Sequence, residues 1–287
     1  MDEYARYGGI IPEIASRAHL ESFLPTLDAA LDEAGVPLAD VDAIAVAAGP
    51  GLVGSLTVGI CAAKALASSL GKPLYGVNHV IGHLAVDKLA DGPLPEHFIG
   101  LVVSGGHSNI LEIRNIATDV VELGGTLDDA AGEAFDKVGR LLDLPYPGGP
   151  HVDRLSQQGD REAIRFPRGL AAGKDKERHK YDFSFSGLKT AVARYIEGAN
   201  ARGEVVSKEN VCAAFSEAVN DSLTAKAVRA ALDTGCDTIV VGGGFSANSR
   251  LRALLTERAA AAGVQVRMPP LRFCTDNGAQ IAAIGSE

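Results

Sequence analysis

The sequence is poor in aromatic side chains and contains no tryptophan. Aromatic residues make up 5% of its 287 residues, whereas glycine occurs 33 times. This balance disfavours an aromatic-rich binding face and favours tight turns and close backbone approaches. Positive charge is also scarce, because 27 Lys and Arg stand against 36 Asp and Glu, for a net charge of −9. An indiscriminate nucleic-acid binder is therefore excluded, and contact with RNA requires a local basic patch or a partner.

The sequence also lacks a cysteine framework and a clear membrane segment. Its cysteines are few and scattered: Cys61, Cys212, Cys236 and Cys274. Without a Cys-x-x-Cys pair they predict reduced thiols in a cytoplasmic protein. Residues 1–10 lack the basic start and apolar core of a signal peptide. The uncharged run at 43–63 contains Gly-Pro-Gly at 49–51, so we expect a buried strand, a loop and a packed helix there and no membrane contact.

The hydrophobic patterns predict an α/β protein of two lobes. Helical periodicity covers residues 11–35, and a strand–helix–strand–helix alternation follows, which is typical of a sheet with helices packed on it. Beyond Pro93, tight turns separate three short strands, as in an antiparallel meander. We predict an N-terminal α/β lobe over 1–94 and a C-terminal α/β lobe over 95–287, with a helical insertion at about 127–235.

Two histidines lie four residues apart in the segment "NHVIGHLA". If this segment is helical, His79 and His83 share one face, with about 6 Å between their Cβ atoms. Both side chains can then reach one divalent ion. The alternative is a pair of ordinary surface or helix-start histidines. A zinc peptidase is disfavoured, because the HExxH motif requires a glutamate that His-Val-Ile-Gly-His lacks.

Two glycine-rich turns are candidates for ligand binding. "VVSGGHSN" places Ser104 and His107 beside a Gly-Gly tip whose N–H groups suit phosphate or carboxylate oxygens. "VVGGGFSANSRLR" follows a strand, with Ser246 as the expected N-cap and Asn248 able to bond a ribose or a base edge. The alternatives are an ordinary hairpin turn and a common strand-to-helix turn of α/β proteins.

Acidic residues occur at two further candidate positions. Asp136 follows Glu133 on a predicted helix before the stiff turn "PYPGGP", and Asp153 lies just beyond that turn. Asp136 suits an acceptor for ligand hydroxyls, and the alternative is a solvated helix face. Asp276, next to Thr275, starts the last predicted helix. It is either a capping aspartate or a carboxylate ligand of a metal.

These segments, in this order, resemble the tRNA N6-adenosine threonylcarbamoyltransferase family, TsaD in bacteria. The matching stretches extend from residue 8 to residue 282: "GGIIPEIASRAHL", "AGPGLVGSLTVG", "NHVIGH", "VVSGGHSN", "DDAAGEAFDKVGRLLDLPYPGGP", "FSFSGLKTA", "GGGFSANSRLR" and "TDNGA". The resemblance implies a two-lobed actin-like (ASKHA) fold with ribonuclease-H-like lobes. It also implies an adenylate, AMP or ATP-type nucleotide in the cleft.

The resemblance further implies a site and a reaction. His79, His83 and Asp276 would bind one iron or zinc ion. Substrate contacts would fall on Val103, Ser104, Gly105, Gly106, His107, Asp136, Gly149, Asp153 and Asn248. The threonylcarbamoyl group would move from threonylcarbamoyl-adenylate to N6 of adenosine-37 in tRNAs that read ANN codons. The implied partners are tRNA, a paralogous TsaB-like subunit and a small TsaE-like ATPase.

Rival functions with the same fold are a non-catalytic paralogous subunit and an actin-like ATPase or kinase. The first has no need of the two histidines and the aspartate together, and the second needs an N-terminal phosphate-loop aspartate that this sequence lacks. No residue is assigned as general base. The candidate tRNA contacts lie in one charged segment, whose alternative is a merely solvated loop: Arg165, Arg168, Lys174, Lys176, Arg178 and Lys180.

The sequence departs from the family pattern in three places. Ile81 stands where the family has glutamate, which we expect to tune the site without abolishing it. The first strands and their phosphate loop are absent before "MDEYARYGG", and the chain stops soon after "TDNGA". We therefore expect a fragment with an incomplete first lobe.

Overall fold

The computed structural model describes residues 11–171 and 175–287, except for the side chain of residue 176. Two of the candidate tRNA contacts, Lys174 and the side chain of Lys176, thus lie outside the described part. The chain forms two compact units. One contains residues up to Val86 together with Asn277–Glu287, and the other is Asp87–Asp276. This division differs from the predicted lobes, because the last helix groups with the first unit.

Both helices and strands are distributed over the whole chain. The helices are α1 Pro12–Ala34, α2 Val53–Leu70, α3 His79–Ala85, α4 Lys88–Asp91, α5 Ala131–Leu141, α6 Gly148–Ser156, α7 Asp175–Arg178, α8 Ser186–Ala201, α9 Lys208–Thr234, α10 Ser249–Ala261 and α11 Gly278–Gly285. The strands are β1 Ile44–Gly49, β2 Leu74–Asn78, β3 Phe98–Val103, β4 Ser108–Asn115, β5 Asp119–Gly125, β6 Thr238–Gly242 and β7 Gln265–Arg267.

In the first unit, β1 and β2 pair in parallel, with α2 as the connection between them. The helix α1 ends where predicted, because Gly35 adopts a left-handed conformation with φ of 64°. By length and composition α2 alone among the described helices could cross a membrane. It nevertheless packs against β1 and α1, so the predicted order of strand, loop and packed helix is observed. The strand itself was predicted to be buried, and this was wrong, because the residues of β1 are half-buried or exposed.

The C-terminal helix α11 packs against α3 and β1 of the same unit. Glycines allow this close approach. A Cβ atom on Gly285 would lie 2.5 Å from the Cβ of Ala45, and one on Gly82 would lie 3.3 Å from the carbonyl oxygen of Gln280. Side chains at either position would push the helix away from the segments that it covers.

The second unit has a five-stranded sheet in the order β5-β4-β3-β6-β7. β3, β4 and β5 are antiparallel neighbours, which is the predicted meander, whereas β6 and β7 run parallel to β3. The central strand β3 is buried along its whole length. Beneath it lies an aromatic cluster, in which the ring of Phe135 is 4.8 Å from the rings of Phe215 and Phe245. This core fixes α5 and α9 against the sheet.

A buried ion pair joins the start of the second unit to its edge strand. The carboxylate of Asp87 is fully buried, and its Oδ2 lies 2.6 Å from Nη2 of Arg267. Arg267 also donates to the carbonyl oxygens of Gly92 and Pro93, at 2.9 and 2.8 Å. Burial raises the pKa of Asp87 to about 6, although the arginine acts in the opposite direction.

Three local predictions differ from the structure. Helix α6 begins within the Pro-Gly-Gly-Pro segment, where only a stiff turn was predicted. Ser246 is not the cap of α10; Asn248 is, because its Oδ1 accepts from Leu251 N at 2.9 Å. The helical insertion predicted from about residue 127 begins with α5 at Ala131, since Thr126 donates to the carbonyl of Asp129 and holds a turn there. All four cysteines are free thiols, and Cys212, Cys236 and Cys274 are buried.

Candidate functional site

The histidine pair lies at the start of α3 in the first unit. Oδ1 of Asn78 accepts from Val80 N at 2.9 Å and from Ile81 N at 3.3 Å, so the helix begins at His79. The rings of His79 and His83 meet edge to face, with centroids 4.8 Å apart. His83 is only 2% exposed. The predicted sharing of one helix face is therefore observed.

Asp276 directly precedes the cap of α11. The capping role considered for Asp276 belongs to its neighbour, because Oδ1 of Asn277 accepts from Gln280 N at 2.9 Å. One ligand atom from each of His79, His83 and Asp276 lies within 4.8 Å of the others. Two imidazoles and one carboxylate suit iron or zinc, and they leave positions open for a further ligand. The donor set thus fits the implied metal.

The second unit contains a cavity of about 370 Å³. It lies among the turn after β3, helices α5 and α6, and the segment after β6. Five of the nine predicted substrate residues line it: Gly105, Asp136, Gly149, Asp153 and Asn248. The other four do not line it: Val103, Ser104, Gly106 and His107. In the turn, Ser104 Oγ accepts from the N–H groups of Gly106 and His107, at 3.3 and 3.1 Å. These two donors are thus engaged within the turn.

Asp136 joins two helices at the wall of the cavity. Its Oδ1 accepts from Gly148 N at 2.8 Å and from Gly149 N at 3.2 Å, at the N-terminus of α6. Burial raises the pKa of Asp136, although these two hydrogen bonds oppose the shift. The helices are close because a Cβ atom on Gly139 would lie only 2.9 Å from the Cα of Gly148. The close contact of Gly139 with Gly148 therefore lets the N–H groups of the "PGGP" segment reach and hold the carboxylate of Asp136.

Asp153 and Asn248 also line the cavity, and they belong to one hydrogen-bond network. Asn248 Nδ2 donates to Asp153 Oδ1 at 2.9 Å, and the Ser249 hydroxyl donates to the same oxygen at 2.8 Å. The Oδ1 of Asn248 accepts from Leu251 N and, at 3.1 Å, from Nδ2 of the fully buried Asn220. This network links α6, α9 and the start of α10.

Several residues that line the cavity were not predicted from the sequence: Gly132, Pro147, Pro150, Arg154, Gln157, Gly244, Phe245 and Ala247. Arg154 is the cationic side chain among the lining residues. The sequence predicted a stiff turn and no helix through Asp153, so it did not indicate that Arg154 lies on a helix at the cavity. The spacing of Asp153 and Gln157 by four residues is the signal that a helical reading would have used.

Ion pairs engage two of the four described basic residues of the candidate tRNA segment. Arg168 Nε lies 2.9 Å from an oxygen of Asp221, and Lys180 Nζ lies 3.5 Å from one of Asp233. The side chains of Arg165 and Arg178 are exposed. The segment therefore presents less free positive charge than its composition indicates.

Comparison with known proteins identifies the family. The family model for TsaD, tRNA N6-adenosine threonylcarbamoyltransferase, matches residues 1–283. The chain belongs to the TsaD family. A relative of the same name in Bifidobacterium adolescentis is 55% identical over 285 residues, covering 99% of this chain and 82% of the relative. Another in Corynebacterium diphtheriae is 56% identical over 288 residues, covering 100% and 81%. The predicted enzyme class, a transferase that acts on tRNA adenosine, is confirmed for this TsaD chain.

Solved structures support the fold of this TsaD chain. T. kodakarensis HypF superposes with a TM-score of 0.64 at 16% identity, over 87% of this chain and 41% of that protein. A full-length HypF in the phosphate- and nucleotide-bound form gives a TM-score of 0.58 at 17% identity, over 82% and 37%. At these identities the likeness concerns the fold alone. The predicted α/β fold of the actin-like class is thereby confirmed.

Proposed function

We propose that this chain transfers the threonylcarbamoyl group of threonylcarbamoyl-adenylate to N6 of adenosine-37 in tRNAs that read ANN codons. In this reaction the N6 amine attacks the carbamoyl carbon and a C–N bond forms. The bond from that carbon to the phosphate oxygen breaks, AMP leaves, and the amine loses one proton. The family match over residues 1–283 carries the proposal.

The cavity of the second unit is proposed to hold the adenylate. Its volume of about 370 Å³ falls within the range of small-molecule sites. Asp153 and Asn248 are held by their mutual hydrogen bond and are thus pre-oriented to bond ligand hydroxyls or a base edge. Arg154 would pair with the phosphate, and it is the cationic side chain in a lining that otherwise carries the carboxylates of Asp136 and Asp153.

His79, His83 and Asp276 are proposed to hold one iron or zinc ion. When bound, the metal supplies Lewis-acid polarisation and a template for the mixed anhydride. The chain prepares this site through its own hydrogen bonds. Asn78 sets the first turn of α3, and Asn277 sets the first turn of α11 directly after Asp276. The convergence of the three side chains to within 4.8 Å supports the assignment.

The tRNA is proposed to be held with the help of partners. The net charge of −9 disfavours tRNA binding by this chain alone, and ion pairs engage Arg168 and Lys180 of the candidate segment. We therefore propose that Arg165 and Arg178 make only auxiliary phosphate contacts. A paralogous TsaB-like subunit and a TsaE-like ATPase would supply the remaining contacts.

The test is a reconstitution with synthetic threonylcarbamoyl-adenylate, an ANN-reading tRNA and the metal-loaded chain, with and without the partner subunits. We expect threonylcarbamoyladenosine in digested tRNA and one AMP released per modification, without ATP. Asp276→Asn, which removes a proposed metal ligand, is the matched inactive control. Hydrolysis of ATP without modified tRNA would favour the ATPase alternative. An absence of product with every partner present would refute the transferase assignment.

A further inference from the structure

Gln280 on α11 is a buried polar side chain beside the proposed metal ligands. It is 1% exposed, and its Nε2 lies 3.4 Å from Nδ1 of His79. Its other polar atom, Oε1, is buried without a hydrogen-bond partner. A buried amide oxygen without a hydrogen-bond partner costs folding free energy. Such an atom is therefore a candidate to accept a hydrogen bond in another state of the protein.

Packing fixes the position of Gln280. Its N–H donates to Asn277 Oδ1 at 2.9 Å, at the start of α11. On the facing helix α3, Gly82 has no side chain, and a Cβ atom there would lie 3.5 Å from Cγ of Gln280. The side chain is thus held against α3, one turn from the backbone of His79.

The chemistry of imidazole sets what Gln280 must do if His79 binds a metal. A neutral imidazole has one N–H and one lone pair, and the metal takes the lone pair. Since Nδ1 of His79 faces Gln280, Nε2 remains for the metal, and Nδ1 then carries the proton. That proton needs an acceptor. A half-turn of the amide about its last bond exchanges Nε2 and Oε1, and it places the unpartnered oxygen at Nδ1.

We propose that Gln280 is a positioning residue for His79. Its Oε1 accepts the Nδ1–H of His79, which holds the tautomer and ring orientation that direct Nε2 to the metal. The inference rests on the proposed metal site and deepens it. Outer hydrogen-bond partners of this kind typically change metal affinity by about 10–100-fold.

The dissociation constant for Zn²⁺, measured by chelator competition, tests this role. Gln280→Met keeps the length of the side chain and removes the acceptor, whereas Gln280→Glu restores one. We expect Gln280→Met to bind Zn²⁺ about 10–100-fold more weakly than the unmodified chain, and Gln280→Glu to recover most of that loss. Gln265→Met, at an exposed position of β7, is the matched control and should leave the affinity unchanged.

Two outcomes would overturn the role of Gln280. One is equal Zn²⁺ affinity of Gln280→Met and the unmodified chain. The other is a Gln280→Glu variant as weak as Gln280→Met, since an acceptor would then not be what matters. Side-chain ¹⁵N NMR of the Zn²⁺ form gives an independent measurement, in which we expect His79 to be protonated at Nδ1. Zinc on Nδ1 would contradict the inference.

The same measurements separate this inference from the metal site on which it rests. If the unmodified chain binds no Zn²⁺, the assignment of His79, His83 and Asp276 fails. If it binds Zn²⁺ and Gln280→Met binds it equally, only the positioning role fails. The melting temperature of each variant without zinc reports any loss of packing separately.

Discussion

Asp153 and Asn248 are 95 residues apart in the chain, and Nδ2 of Asn248 donates to Oδ1 of Asp153 at 2.9 Å. Asp153 lies in the second half of α6, and Asn248 is the N-cap of α10. Their hydrogen bond therefore defines one wall of the cavity before any ligand is bound. Pre-orientation of this kind reduces the conformational entropy that binding must overcome.

Asp153→Asn should weaken the hydrogen bonds that join Asp153 to Asn248 and Ser249. The amide keeps the shape of the carboxylate but removes its charge, and one of its two polar atoms can no longer accept from Asn248 and Ser249. We expect a loss of about 1–3 kcal/mol in the free energy of unfolding, together with weaker AMP binding. Urea denaturation and calorimetric titration measure the two effects. Asp28→Asn, at an exposed position of α1, is the control and should change neither.

Metal content should depend on His83 and Asp276. We expect about one equivalent of iron or zinc in the purified chain, and its loss in His83→Ala and in Asp276→Ala. Elemental analysis after gel filtration makes the measurement. His97→Ala removes a histidine outside the triad, one that is paired with Glu112, and should retain the metal. Equal metal in all variants would defeat the assignment of the triad.

Arg267→Met should destabilise the chain more at pH 8 than at pH 5. The pKa of Asp87 in the folded chain, about 6, already lies above the ordinary value of 3.8, so keeping Asp87 ionised costs folding free energy as the pH rises. Removing Arg267 raises this pKa further. At pH 8, each added unit in the pKa of Asp87 lowers the free energy of unfolding by about 1.4 kcal/mol. At pH 5 the carboxyl of Asp87 is protonated in the folded state, so the added loss is small. Urea denaturation at the two pH values tests this.

Arg267→Lys and Asp87→Asn complete that experiment. The lysine retains a positive charge, so the pH dependence should stay close to that of the unmodified chain. The double variant Arg267→Met with Asp87→Asn lacks the buried acid and should lose the extra destabilisation at pH 8. An equal loss at both pH values in Arg267→Met would show that Asp87 does not titrate in this range.

Gly139→Ala should separate α5 from α6. The added methyl group would lie 2.9 Å from the Cα of Gly148, which is backbone and cannot rotate away. Overpacking of this kind costs about 1–3 kcal/mol, and it displaces Gly148 and Gly149 from Asp136. We expect a lower melting temperature and weaker AMP binding. Gly187→Ala, where the added methyl group meets nothing within 4 Å on α8, should be neutral or stabilising.

The sequence predicted most elements because their signals are local. Gly35 ended α1, and the alternation of strands and turns gave the meander of β3, β4 and β5. Asp276 shows where local signals fail. Its position at a helix start equally suggested a cap, and only the hydrogen bond from Gln280 N to Asn277 assigns that role to the neighbouring residue.

The missed features depend on contacts between distant segments. The start of α6 was read as a stiff turn because Pro-Gly-Gly-Pro has poor helix propensity, but two of its N–H groups bond Asp136, twelve and thirteen residues earlier. Arg154 could not be assigned to the cavity without that helix. Gln280 likewise shows no pattern in the sequence, since its contact with His79 spans 201 positions.

The first unit is discontinuous in the chain, whereas the second occupies one uninterrupted stretch, Asp87–Asp276. A ribosome therefore releases all of the second unit before it releases α11. Because domains fold as units during synthesis, the second unit can mature on the nascent chain while α3 still lacks the helix that covers it. Assembly of the two histidines with Asp276 thus has to wait until Asp276 and the helix α11 that follows it have been translated.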